Sequence, residues 1–167
     1  MRRIVPNVLA LTVRSVPIDA ASFASFGDVV AQPPGSPRQE WAKALAHPAP
    51  NASMSFSTLN IAPARLPATL NVMERHVHSF QTFIPLDASG YLVCVAPGGA
   101  DDLPAIEQMR AFIVPAGIAI TYYAGTWHHP MMGLDRPAQF ATMMWRSGGE
   151  DDDEFVDLSH PVHVRGS

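Results

Sequence analysis

Four of the seven histidines in this sequence, a residue type suited to acid–base and metal chemistry near neutral pH, fall in two tight pairs. His76 and His78 are one residue apart, and His128 and His129 are adjacent. On a β-strand, residues two apart point to the same face about 7 Å from each other, so both imidazoles would lie beside Glu74. This grouping is typical of a metal site or an acid–base pair, and histidines on a solvent-facing strand would give the same pattern.

The second pair cannot direct both imidazoles into one pocket, because adjacent residues point in different directions. Of His128 and His129, one is expected to face a pocket and the other to hydrogen-bond to the backbone. The sequence leaves open which residue has which role. A neutral imidazole, with an ordinary pKa of about 6.5, suits either a general acid or a general base.

Short apolar runs separated by proline and glycine surround these histidines. The chain contains 16 prolines and 11 glycines, a density that long helices do not tolerate and that the turns of an all-β barrel or sandwich require. Alternation and β-propensity predict strands at 29–30, 54–61, 72–78, 81–86, 91–96, 110–114, 118–123 and 138–145, and an extended tail at 155–164. The predicted fold class is therefore all-β.

One short helix is predicted near the start of the chain. Asp19 is a favourable N-cap, residues 20–25 carry Phe23, and Gly27 is expected to end the helix in the left-handed conformation. Residues 32–52 are then polar and interrupted by prolines, with a helical turn or two predicted at 40–46. Long excursions of this kind are often lids, and the sequence does not decide whether this one is.

Length and composition restrict the possible functions. A chain of 167 residues fits a single domain over 1–167, and a net charge of −4 provides no basic surface for nucleic acid. No window approaches the ~20 apolar residues that span a bilayer, so a membrane role is not expected. Pro6 and Asn7 interrupt the first apolar stretch, which argues against a signal peptide and favours a cytoplasmic protein.

The remaining reactive or charged features are predicted to be structural. Cys94 is the single cysteine and lies among apolar neighbours, which favours an inert core thiol. The acidic run at 150–154 follows a Ser-Gly-Gly segment and is predicted to be a solvated loop.

Several motifs along the chain resemble the ureidoglycolate lyase family. Residues 73–76 read Met-Glu-Arg-His and 81–86 read Gln-Thr-Phe-Ile-Pro-Leu, which is similar to a paired signature of that family. Residues 109–113, Met-Arg-Ala-Phe-Ile, and 125–130, Gly-Thr-Trp-His-His-Pro, resemble two further blocks. The start, Phe-Ala-Ser-Phe-Gly-Asp-Val-Val at 23–30, is also similar, so the resemblance runs in order from about residue 18 to residue 145.

This resemblance implies a double-stranded β-helix, the cupin-type barrel, which in that family is usually dimeric. It also implies a lyase that splits ureidoglycolate into glyoxylate and urea in purine (allantoin) breakdown. The family's pocket would here be lined by Glu74, His76, Gln81 and one of His128 and His129. No nucleic acid or membrane partner is implied, and the expected partners are a small-molecule substrate and a second copy of the chain.

Metal binding stays open at this point. The resemblance to metal-binding cupins concerns a His-x-His pattern that is followed by a glutamate and a later histidine. In this chain His76 and His78 match the first part. Gln81 stands near the glutamate position and Ile120 near the later histidine position. Two of four ligands make a poor site unless His128 or Glu74 completes it. We therefore expect no cofactor, while a divalent metal at His76 and His78 is possible.

The chemistry of ureidoglycolate suggests a role for each candidate. His76 or Glu74 would be the base, His128 the acid, and Gln81 a partner of the ureido group, while Arg110 or Arg146 would meet the carboxylate. Four further side chains are candidates for the pocket lining: His78, Phe83, Tyr122 and Trp127. The three aromatic residues are more often core residues in a barrel than parts of a pocket wall. The alternatives are a metal-dependent cupin enzyme (dioxygenase or isomerase) and a non-catalytic cupin that binds a small acid.

Overall fold

The fold consists of two β-sheets and two hydrophobic clusters, one inside the larger sheet and one between the sheets. The computed structural model describes residues 2–6, 10–32, 34–41, 51–99, 101–150 and 152–166. Within these ranges the larger sheet contains nine strands: β1 (Arg3–Val5), β2 (Leu11–Pro17), β5 (Pro63–Ala64), β6 (Ala68–Arg75), β8 (Gly90–Ala96), β9 (Arg110–Pro115), β11 (Trp127–His128), β12 (Met132–Leu134) and β14 (Glu154–Arg165). The smaller sheet contains β3 (Gly27–Val30), β4 (Ser53–Ile61), β7 (Gln81–Asp87), β10 (Ala119–Tyr122) and β13 (Ala138–Arg146), in the order β3-β10-β7-β13-β4.

The larger sheet closes into a barrel because the two-residue strand β11 pairs with a strand on each side. In β11, His128 pairs with Glu74 of β6 on one side and with Val95 of β8 on the other. The remaining ring runs from β6 through β14, β2 and β9 to β8. This closed barrel with a second sheet packed on it is a cupin-type fold, and it confirms the predicted all-β class.

Burial on both faces explains why β8 is so apolar. Tyr91, Val93 and Val95 pack into the core between the two sheets, while Leu92 and Cys94 face the core inside the larger sheet. A strand buried on both sides has no polar face and appears as a continuous apolar run. Burial raises the pKa of the Cys94 thiol to about 12, in agreement with the predicted inert thiol.

The strand predictions hold with one consequential exception. The strand predicted at 72–78 instead covers 68–75, and the chain turns at Val77 and His78, whose side chains are exposed. The predicted common strand face for His76 and His78 is therefore wrong. The physical reason is a backbone contact: the carbonyl of His76 accepts the N–H of Gly125, which ties the chain to the loop before β11 and ends the ladder.

The predicted helix is present but shorter than expected. The carboxylate of Asp19 accepts the backbone N–H of Ser22 at 2.9 Å, and helix α1 covers Ala20–Phe23. Gly27 does not end it in a left-handed conformation, as predicted, but begins β3. A Cβ atom there would lie 1.8 Å from the carbonyl oxygen of Thr121 on β10, so the close approach of two strands requires glycine.

Two predictions fall largely outside the described residues. Most of the helical turn predicted at 40–46 lies in 42–50, and so does much of the excursion at 32–52. Among the residues that are described, no helix is long and apolar enough to cross a membrane.

Candidate active site

Side chains along β6 and β11 point alternately to the two faces of the sheet, which places Glu74 and His128 on the face away from the core of the larger sheet. Met73 of β6 and Trp127 of β11 are buried in the core of the larger sheet, and Arg75 stacks over the Trp127 ring at 4.5 Å. Glu74 and His128 point to the opposite face, where they are paired across the two strands. The strand geometry therefore brings together two groups that are 54 positions apart in the sequence.

His128 is held from two directions. Its Nδ1 lies 2.8 Å from the carbonyl oxygen of Thr126, which can only accept a hydrogen bond, so Nδ1 carries a proton. Its Nε2 lies 3.3 Å from Oε1 of Glu74 and is buried, although the pair does not reach hydrogen-bond geometry. A proton on Nε2 would make His128 an imidazolium facing a carboxylate.

His76 follows β6 directly and is oriented by the chain before β14. Its Nδ1 lies 3.1 Å from the carbonyl oxygen of Asp152 and 2.9 Å from Oδ1 of Asp153. Both partners accept hydrogen bonds, so Nδ1 carries the proton and the buried Nε2 of a neutral ring presents a lone pair. Burial lowers the pKa of His76 below its usual value, and the neighbouring charge of His128 lowers it further.

Three groups thus converge with their acceptor atoms toward one point. One ligand atom from each of Glu74, His76 and His128 lies within 4.8 Å of the others, and the two imidazole centroids are 5.4 Å apart. With no proton or cation between them, three acceptors in one buried place repel each other. The cluster therefore attracts either a proton or a metal ion.

A cavity of about 250 Å³ opens beside this cluster. Glu74, His76 and Gln81 line it together with Arg146 and Asp153. The apolar part of the wall consists of Leu59, Ile61, Phe83, Pro130, Met131 and Phe155. The side chain of Gln81 is buried, and its Oε1 has no hydrogen-bond partner within the described structure, so a donor from a ligand would satisfy it.

Arg146 is the cation of this cavity among the described lining residues. Its NH1 and NH2 groups donate to Oδ2 and Oδ1 of Asp153 at 2.8 and 3.1 Å. That hydrogen bond raises the pKa of Arg146, which keeps the guanidinium charged. The sequence offered Arg110 or Arg146 as the carboxylate partner and placed Arg110 among the substrate-binding residues, but Arg146 is the one of the two that lines the cavity.

Four of the predicted pocket residues lie elsewhere. Arg110 is exposed, donates to the carbonyl oxygen of Ser22 and stacks over Phe112, so it does not line the cavity. His78 is exposed in the turn after β6. Tyr122 and Trp127 are fully buried behind the site, where Tyr122 stacks on His128 and Trp127 stacks on Arg75. Their contribution to the site is support from the core and not direct contact with a ligand.

Residues 152–154 of the acidic run do not face solvent as the sequence suggested, whereas Glu150 is exposed. Asp152 is buried, and its carboxylate accepts hydrogen bonds from Ser147 and Gly148. Asp153 contacts His76 and Arg146, as described, and Glu154 binds Arg75 at 2.6 Å. A run of like charges gives no sign of its partners, because those partners lie far away in sequence on other strands.

The Gly-Thr-Trp-His-His-Pro segment at 125–130 has a structural role at nearly every position. Gly125 has φ +79° and donates its N–H to the carbonyl of His76, while the Thr126 hydroxyl donates to the carbonyl of Phe26. The backbone N–H of His129 donates to the carbonyl oxygen of Cys94, and Nδ1 of its ring lies 2.7 Å from the carbonyl oxygen of Pro130. His128 is therefore the histidine that faces the cluster, and His129 has the backbone-bonded role.

Comparison with known proteins identifies relatives over most of the chain. A model of the family described as ureidoglycolate lyase matches residues 10–165. A ureidoglycolate lyase of Azotobacter vinelandii is 32% identical over 149 residues, which cover 83% of this chain and 87% of that protein. One of Pseudomonas aeruginosa strain PAO1 is 30% identical over 152 residues, 86% of this chain and 89% of that protein.

Other similarities are shorter or weaker. A ureidoglycolate lyase of Schizosaccharomyces pombe is 35% identical over 100 residues. The aligned part is 57% of this chain and 52% of that protein, so the chain spans about half the length of this relative. A crystal structure of a dTDP sugar isomerase from Desulfovibrio desulfuricans G20 aligns with TM-score 0.47 and 12% identity, over 77% of this chain and 78% of that one. A score this low supports no conclusion about function.

Proposed function

The chain belongs to the ureidoglycolate lyase family, and from this membership we propose that it splits ureidoglycolate into glyoxylate and urea by acid–base catalysis. The observation that carries the proposal is the convergence of Glu74, His76 and His128 beside a cavity that also holds one arginine. The names of the relatives do not favour a dioxygenase, an isomerase or a non-catalytic binding protein.

The reaction needs one base and one acid. Ureidoglycolate has a carbon that carries a hydroxyl group, a carboxylate and a nitrogen of urea. A base removes the hydroxyl proton, a C=O bond forms, the C–N bond breaks with its electron pair moving to nitrogen, and an acid protonates that nitrogen. General acid–base catalysis of this kind contributes roughly 10²–10⁴-fold to the rate.

The environments of the two histidines favour opposite roles for them. His76 is kept neutral by burial and by the charge of His128, and its Nε2 lone pair is directed to the cluster, as a base requires. His128, with Glu74 opposite its Nε2, is suited to carry the proton that the leaving nitrogen takes. Two neighbouring titratable groups that lie in different environments are candidates for an acid–base pair.

We assign substrate binding to other residues that line the cavity. Arg146 would hold the carboxylate, since a guanidinium and a carboxylate form paired hydrogen bonds. The unpartnered Oε1 of Gln81 would accept an N–H of the ureido group, and Phe83 would form part of the apolar wall. These contacts would direct the hydroxyl group toward His76.

The same three groups also fit a divalent cation. The Nε2 atoms of His76 and His128 are buried without hydrogen-bond partners in the described structure, and Glu74 adds a carboxylate oxygen. Two imidazoles and one carboxylate form a donor set that several transition metals accept, with coordination positions left open. When bound, such an ion would act as a Lewis acid on a substrate oxygen. His78, one of the two metal ligands expected from the sequence, is not part of this set.

A homodimer fits the outer face of the smaller sheet. Met54 and Phe56 of β4 and Ile84 and Leu86 of β7 are exposed apolar side chains on that face, with Phe56 66% exposed. The positions of β4 and β13 that share this face carry uncharged residues: Thr58, Asn60, Gln139, Ala141, Met143 and Trp145. Two copies related by a two-fold axis would therefore bring few like charges together there. The proposed partner is therefore a second copy of this chain.

We also propose a cytoplasmic location. The single cysteine, Cys94, is a buried thiol, and the chain has no second cysteine with which to form an internal disulfide. Fractionation of cells that produce the protein tests this assignment.

The decisive experiment measures glyoxylate release from racemic ureidoglycolate by purified protein, with and without EDTA pretreatment. Turnover unaffected by the chelator is expected from the acid–base mechanism. Turnover that EDTA abolishes and one metal restores would keep the substrate and make Glu74, His76 and His128 metal ligands. No glyoxylate in either condition would contradict the proposed function.

A further inference from the structure

Three consecutive acidic residues contact basic side chains in or next to the site. Asp152 meets His76 through its backbone carbonyl, Asp153 holds Arg146, and Glu154 binds Arg75 next to Glu74 in the chain. Of these, Asp153 alone contacts two cavity-lining groups, because its Oδ1 also lies 2.9 Å from Nδ1 of His76. The position of Asp153 thus couples the proposed carboxylate-binding group to the proposed base.

Arg146 needs a partner of this kind. Its side chain is 40% exposed, and a long arginine side chain loses much rotamer freedom when it is fixed in one orientation. Asp153 accepts from both terminal nitrogens and so uses two of the five N–H groups of the guanidinium. The other N–H groups stay available, which allows Arg146 to bind a second carboxylate while Asp153 keeps it in place.

We propose that Asp153 is a positioning residue that orients the guanidinium of Arg146 toward the substrate carboxylate, an inference that rests on the proposed function. The same contact pattern predicts separate effects on binding and on chemistry. Loss of the Asp153 carboxylate frees Arg146, whereas His76 keeps the hydrogen bond from its Nδ1 to the carbonyl oxygen of Asp152. Substrate binding should therefore suffer more than turnover.

The test compares Asp153→Asn with Asp87→Asn. Asp87 forms an exposed ion pair with Arg136 at the far end of β7 and does not line the cavity, so its variant controls for the loss of an acid–arginine pair. For Asp153→Asn we expect KM for ureidoglycolate to rise about tenfold or more, as for a lost charge-assisted hydrogen bond, with a smaller fall in kcat. Asp87→Asn should keep both wild-type values.

A KM for Asp153→Asn that equals or falls below that of the wild type overturns the inference. A fall would mean that Asp153 competes with the substrate for Arg146. A loss confined to kcat would likewise overturn it, because orientation of His76 and not of Arg146 would then be the role of Asp153. If Asp153→Asn is not folded by circular dichroism, Asp153→Ser applies the same test.

A binding measurement separates this inference from the proposed reaction. Oxamate, a two-carbon carboxylate with an amide group, is titrated calorimetrically into wild type, Asp153→Asn and Asp87→Asn. Weaker binding to Asp153→Asn alone supports the positioning role, and equal binding to all three overturns it. Wild-type protein that binds oxamate and releases no glyoxylate would contradict the proposed function only.

Discussion

The imidazole of His128 lies flat on the phenol ring of Tyr122, with ring centroids 4.1 Å apart and planes 18° apart. Tyr122 is fully buried, and the Thr126 carbonyl fixes the other edge of the imidazole through Nδ1. The ring therefore has little freedom to rotate, and its Nε2 stays directed at Glu74 and His76. A proton donor held in this way needs no rearrangement at the moment of reaction.

Replacement of either histidine should remove most of the activity. His76→Asn and His128→Asn are each expected to lower kcat roughly 10²–10⁴-fold, because each removes one side of the acid–base pair. The measurement is steady-state glyoxylate release, with thermal melts as a check of folding. His78→Asn, two positions from His76 in the exposed turn, is the matched control and should behave as wild type. Full activity in His128→Asn would contradict its role as the acid.

The two arginines considered from the sequence should differ in their effect on substrate binding. Arg146→Lys replaces a planar fork with a point charge, so KM should rise about tenfold while kcat changes less. Arg110→Lys, whose guanidinium lies outside the cavity, should leave KM unchanged. Kinetics of both variants over a range of substrate concentrations give the comparison. A larger effect of Arg110→Lys would show that the carboxylate binds elsewhere.

The titration of His76 should lie at lower pH than that of an ordinary histidine. Burial, followed by the charge of His128, lowers the pKa of His76 below 6.5. The unfolded chain therefore binds this proton at a higher pH than the folded chain does. As a result, the contribution of His76 to the free energy of unfolding is complete above pH 6.5 and is lost as the pH falls through the pKa of the folded protein.

NMR of the imidazole C–H signals in chelator-treated protein measures this titration directly. In His128→Asn the midpoint of His76 should move upward, because the charge that lowers it is removed. A wild-type midpoint at or above 6.5 would contradict the assignment of His76 as the neutral base.

The dimer proposed for the outer face of the smaller sheet can be broken by a single charge. Phe56→Asp should turn a dimer into a monomer, since two carboxylates would meet in an apolar contact near a two-fold axis. Light scattering coupled to size-exclusion chromatography reports the mass. Ile4→Asp, at a residue 56% exposed on β1 in the other sheet, is the control and should remain dimeric. A monomeric wild type would contradict the proposal.

The sequence predicts the framework well because burial leaves a strong local pattern. The apolar run of β8 and the N-cap at Asp19 are local signals, and both features occur where they were expected. β11 was not predicted as a strand, since two residues are too short to show a period. Yet this strand closes the barrel and sets His128 beside Glu74.

The structure brings together several residues that the sequence proposed for the site, whereas the acidic residues that contact them were not foreseen. Glu74, His76 and Gln81 line the cavity, and His128 completes the cluster, as the family resemblance implied. The sequence alone could not exclude His78 and Arg110 from the site. Where a strand ends, and where the side chains beyond that end point, depends on contacts with residues distant in the chain. For the same reason, the sequence did not show that acidic residues of the run at 150–154 would contact His76 and Arg146.

The position of β14 in the larger sheet has a consequence for biosynthesis. This strand pairs with β6 on one side and with β2 on the other, and β1 also adds to it. Until residues 154–165 have left the ribosome, the two neighbouring strands have unpaired edges and the barrel has a gap in its wall. Exposed edges of this kind invite aggregation, and pairings between distant segments form slowly. Pairing of β14 therefore protects two strand edges at once and closes the wall of the barrel.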